Sequence, residues 1–71
     1  MEEVTLEYGL YLVETEQVRL KSDGLESGEY IKWVNGKGIC YEDGCLIGEN
    51  HHSAFIRLNR LEWTHKYKFY K

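Results

Sequence analysis

Apolar and polar residues alternate at both ends of the chain. Near the start, Val4, Leu6, Tyr8, Leu10 and Leu12 fall on one side of an extended segment. Thr5, Glu7, Gly9, Tyr11 and Val13 fall on the other. This is the period-2 pattern of a half-buried strand, and Gly9 in its middle suggests a bulge or bend. The polar stretch 14–17 suits a turn, after which Val18 and Leu20 alternate with Arg19 and Lys21 as a second strand. Ser22-Asp23-Gly24 is a turn, because Asp tolerates a left-handed backbone and Gly adopts it without steric cost. Residues 29–34, rich in β-formers, predict a third strand. Asn35-Gly36 between apolar runs is a strong short hairpin signal and predicts a return strand at 39–41. Asp43-Gly44 marks another turn and 45–47 a further strand.

The last third of the sequence is less uniform. Residues 54–61 alternate like a strand through Ala54, Ile56 and Leu58. Phe55, Leu58 and Leu61 also share a helical face, with Ser53 as its N-cap; the strand is preferred, with one short helical turn near 53–61 as the alternative. Over 61–69, Leu61, Trp63, His65, Tyr67 and Phe69 alternate with Glu62, Thr64, Lys66 and Lys68, which predicts a final strand. The expectation is therefore a single all-β domain spanning 1–71. Five to seven short antiparallel strands would form a meander or a small barrel of SH3-like or OB-like kind, which limits exposed edges.

Composition supports a folded domain with a thin core. The chain has 71 residues and ten aromatic side chains, too many for a disordered segment. A domain of this size supplies only about 3–5 kcal/mol from its own core. No apolar run approaches the roughly 20 residues of a membrane span. Met1-Glu2-Glu3 has the wrong charge for a signal peptide, so a cytoplasmic protein without membrane partners is expected.

The net charge of −3 hides an uneven distribution. Residues 1–30 hold eight acids and two bases, whereas 57–71 hold five bases (Arg57, Arg60, Lys66, Lys68, Lys71) and one acid, Glu62. Either the two ends of the chain lie side by side and offset each other, or the basic end faces a polyanion. The first is preferred.

Three candidate chemistries follow. Six tyrosines and two tryptophans exceed what one small core holds, and exposed aromatics anchor protein–protein contacts. Tyr11, Trp33 and Tyr70 are the candidate anchors of a non-enzymatic protein-binding module. Such a module would be an accessory or inhibitory protein of the kind phages and mobile elements carry. An unpaired strand edge also admits self-association as a two-fold homodimer. The second candidate is single-stranded nucleic-acid binding by Arg57, Arg60, Lys66 and Lys68 beside the C-terminal aromatics. It ranks lower because alternation puts Trp63, Tyr67 and Phe69 on the face opposite the lysines. The third is a small zinc-stabilised domain, with Cys40, Cys45, His51 or His52, and His65 as ligands. The four-residue gap between the cysteines is wider than the usual structural spacing, and no cofactor is the preferred expectation. A Cys40–Cys45 disulfide would close only a short loop. A cysteine–histidine nucleophile needs a cleft that a chain this short rarely provides, and a histidine-based nuclease lacks its helix, so no enzyme is expected.

Overall fold

The computed structural model describes residues 2–71. Nine elements follow one another: β1 (Glu3–Val4), α1 (Leu6–Glu16), β2 (Lys21–Ser22), β3 (Ile31–Val34), β4 (Gly38–Tyr41), β5 (Leu46–Gly48), α2 (His51–Arg60), α3 (Trp63–Lys66) and β6 (Phe69–Tyr70). Two three-stranded antiparallel sheets, ordered β1-β6-β2 and β3-β4-β5, pack with three helices. The fold is thus α+β. The all-β expectation is overturned, and no barrel closes.

The largest departure is α1, expected as a strand over 4–13. Thr5 stands extended ahead of it, and its hydroxyl accepts the Tyr8 amide at 3.1 Å, an N-cap that satisfies one of the helix's free donors. Leu6, Leu10 and Val13 then recur at the i, i+4, i+7 spacing of a helical stripe and are buried. Gln17, at φ 52°, ends the helix in the left-handed conformation and returns its amide to Leu12. Gly9 marks no bulge. It is buried in the helix, where the Leu20 side chain lies so close that a Cβ would meet it at 2.6 Å.

The middle of the chain follows its turn residues. Gly36 (φ 81°) turns β3 into β4, and Gly44 (φ 94°) turns β4 into β5. In the β4–β5 pair, Ile39 stands opposite Gly48 but Cys40 stands opposite Leu46. Ile47 is the extra residue of this bulge, and it is buried. Leu20 and Ile31 exchange two backbone hydrogen bonds at 2.7 and 3.0 Å, a bridge joining the two sheets.

α2 replaces the strand expected over 54–61. It begins earlier than a Ser53 cap implied. Asn50 is the N-cap: its side chain accepts the Ser53 amide at 2.9 Å, and the Ser53 hydroxyl accepts the Asn50 amide at 3.2 Å. This reciprocal pair is a capping box. The expected strand over 61–69 is also corrected: Glu62 at φ 63° leads into the single turn α3, and only its end is strand, in β6. β6 lies between β1 and β2, so the two ends of the chain do run side by side. Lys71 Nζ reaches Glu2 Oε1 at 3.4 Å, as the charge distribution led one to expect.

One core joins all this. Leu6, Leu10 and Val13 of α1, Leu20, Ile31, Ile39 and Ile47 of the strands, Ala54 and Leu58 of α2, and Phe69 are buried together. Trp63 extends the core as an aromatic group, stacked on Phe69 with ring centres 6.3 Å apart and edge-on to Tyr67 at 5.1 Å. Among the described residues no helix is long and apolar enough to cross a membrane.

Candidate functional site

Among the described residues, the packing leaves five large apolar side chains between 37% and 52% exposed: Tyr8, Tyr11, Leu46, Ile56 and Leu61. All lie on α1, on β5, or on α2 and its C-cap. α2 packs against both α1 and β5.

At the α2 N-terminus the face is aromatic. Tyr8 and Tyr11 stack with ring centres 6.3 Å apart, Tyr11 meets His51 edge-on at 5.4 Å, and His51 and His52 lie 4.3 Å apart. Glu14 of α1 fixes this row. Its Oε1 accepts the His51 backbone amide at 2.7 Å and lies 2.8 Å from His51 Nδ1. A carboxylate at a helix N-terminus is favoured by the free amides there. The side-chain hydrogen bond to His51, with its backbone amide, holds the Glu14 pKa below the usual carboxylate value.

A pH dependence follows. A carboxylate with a depressed folded pKa contributes stability that is complete above its unfolded pKa, about 4.3, and lost as pH falls through the folded value. His51 and His52 both favour the ionised form. Melting temperatures of the parent and of Glu14→Gln are expected to differ at pH 7, and the difference is expected to shrink as pH falls below about 4.3. Parallel curves would show that Glu14 has no such role.

At the other end of α2 the face is apolar and basic. Arg57 and Arg60 are exposed and, among the described residues, make no ion pair. With Ile47, Ser53, Ile56 and Leu61 they line an open hollow of about 560 Å³. Tyr41 borders this region: burial pushes its hydroxyl pKa up, and Arg57 pulls it down.

The other residues singled out in the sequence are dispersed. Trp33 on β3 is half-buried against the core, and its Nε1 donates to Asn35 Oδ1 at 3.1 Å. Tyr70 is half-buried on β6, lining a different hollow with Arg19 and Tyr30. Of the three candidate anchors, only Tyr11 lies on the α1–α2 face. The four bases also separate. Lys66 on α3 pairs with Glu62 at 3.7 Å. Lys68 stands just before β6, where its amide donates to Asp23 Oδ1 at 2.8 Å.

The zinc ligands are not gathered either. Both cysteines are free thiols: Cys40 is buried, its thiol 3.7 Å from the Gly38 carbonyl, and Cys45 is exposed. His51 is held by Glu14, and His65 stands exposed on α3. Among the described residues no three His, Cys, Asp or Glu side chains are placed to hold one metal ion. Hydrogen bonding to Asp43 pushes the Cys45 thiol pKa up, opposite to what a nucleophilic thiolate requires.

Tyr8, Leu46, Ile56 and Leu61 were not singled out in the sequence as surface residues. A helical projection of 6–16 carries the signal for Tyr8, setting Tyr8 and Tyr11 three apart on one face. Compared with protein-family models, with curated proteins and with solved structures, the chain has no match.

Proposed function

We propose that the protein is a non-enzymatic protein-binding module whose contact surface is the face formed by α1, β5 and α2. The observation that carries this is that, among the described residues, all five exposed large apolar side chains belong to α1, β5, or α2 and its C-cap. Exposed apolar side chains that lie together mark contact surfaces, and here Tyr8 stacks on Tyr11 while Ile56 and Leu61 line one hollow. Tyr11 is the anchor: it presents area with little side-chain entropy to lose, and its neighbours Tyr8 and His51 hold it in place. Binding there would make the chain an accessory or inhibitory component acting in the cytosol.

The test is affinity capture from the native host after cross-linking, followed by titration of the recovered partner. Tyr11→Ala and Ile56→Asp are each expected to weaken a stoichiometric complex about tenfold or more, as truncated hot-spot residues do. Tyr70→Ala, on the other sheet, is expected to leave it intact. Circular dichroism would confirm that the variants fold. The proposal fails if no stoichiometric partner is found or if both face variants bind like the parent. Recovery of RNA or DNA with an affinity that falls steeply in salt would favour the nucleic-acid reading, which the unpaired Arg57 and Arg60 support.

A further inference from the structure

We infer that the α2–β5 end of this face binds an acidic, apolar peptide segment, seating an apolar side chain against Ile56 and Leu61 and carboxylates on Arg57 and Arg60. This rests on the protein-binding reading above and names the chemistry of the partner.

The inference begins with charge. The chain is acidic overall, yet no Asp or Glu occurs between Glu49 and Glu62, so α2 and its caps carry only neutral and basic side chains. The acids that bracket this stretch are Glu49 and Glu62; Glu62 holds Lys66 at 3.7 Å, and neither acid forms an ion pair with Arg57 or Arg60. Arg57 and Arg60 are therefore free cations on an acidic protein. Cations in the last turn of a helix also offset its dipole, which accounts for their sign. It does not account for the apolar surface beside them.

That surface is the second element. Ile56 lies one residue before Arg57, and Leu61 one residue after Arg60. Both are about half exposed, and both line the same hollow as the arginines. Leu46, on the adjoining β5, is exposed as well. An apolar floor flanked by two forked cations suits a carboxylate-bearing strand or helix, because arginine pairs carboxylates through two parallel hydrogen bonds. An anionic membrane is less well matched, since electrostatic lipid binding draws on clusters of about 4–8 cations and two stand here.

The test is selection of a displayed random peptide library on the full-length protein, followed by fluorescence anisotropy of the recovered peptides. The probes for comparison are the parent, the double variant Arg57→Glu/Arg60→Glu, and Tyr11→Ala. Recovered peptides are expected to carry Asp or Glu beside Leu, Ile or Phe. The double variant, altered only at exposed positions, is expected to bind them at least tenfold more weakly and to select basic peptides instead. Tyr11→Ala is expected to retain them. The inference is overturned if no peptide is recovered, if the recovered peptides lack acids, or if the double variant binds them as the parent does. A native partner lost by Tyr11→Ala but indifferent to the arginine reversal would remove this inference and leave the proposed function standing. Absence of any native partner would remove the function itself.

Discussion

Replacing Gly48 with alanine is expected to unfold most of the protein's stability margin. Gly48 ends β5 where the backbone of α2 crosses it. A Cβ there would stand 2.7 Å from Ala54 Cα and 2.8 Å from the Ser53 carbonyl carbon, and closer still to the Ala54 amide nitrogen. These are backbone atoms of a capped helix, so no side-chain rotation relieves the contact. α2 would have to move away from β5, opening the core around Ala54 and Leu58. Overpacking of this kind costs about 1–3 kcal/mol and occasionally more; with backbone on both sides, about 3 kcal/mol is expected. In a domain this small that lowers the melting temperature by about 12–24 °C. Gly44→Ala provides the contrast: φ is 94° but nothing lies within 4 Å of the added carbon, so only a left-handed backbone penalty of about 1–2 kcal/mol is expected. Thermal denaturation followed by circular dichroism measures both. A Gly48→Ala protein melting within a few degrees of the parent would mean that α2 does not press on β5 as described.

The second large effect is at Leu10. This side chain is fully buried at the centre of the α1 stripe, and Leu→Ala at such sites costs about 2–5 kcal/mol. Leu10→Ala is expected to leave the domain marginally folded at room temperature. Tyr8→Ala is expected to change stability by no more than about 0.5 kcal/mol, the usual result at an exposed position. In a strand the two side chains would share one face and both truncations would be costly. In α1 they stand two residues apart around the helix, one inward and one outward. Urea denaturation of the two variants therefore tests the helix itself, and equal losses would contradict it.

That pair also shows why α1 was not legible. Six of the eight residues from Leu6 to Val13 are apolar, so the segment satisfies period 2 and period 3.6 together. Its length and the Thr5 cap point to helix, but only if weighed above the alternation. The segment 61–69 misleads for a similar reason: Trp63 and Tyr67 alternate, but they are also an i, i+4 pair on one helical turn. Legibility was best where turn chemistry decides. Asn35-Gly36 and Asp43-Gly44 place the hairpins of β3, β4 and β5, because few residues other than glycine accept the positive φ found at Gly36 and Gly44. The candidate face was legible only at Tyr11, which stands off the apolar pattern under either period. Tyr8, Ile56 and Leu61 follow from α1 and α2 being helices and so were hidden with them, whereas Leu46 lies on β5, a strand the sequence did predict.

The position of β6 has a consequence for how the chain reaches this structure. β3, β4 and β5 pair through neighbouring hairpins, so each contact closes a short loop at little entropic cost. β6 makes no such local pairing: Phe69 stands opposite Val4 on one side and Ser22 on the other. Long-range pairings of this kind are slow to form. The hairpins in the middle of the sequence are therefore expected to form before residues 69–70 enter between Val4 and Ser22.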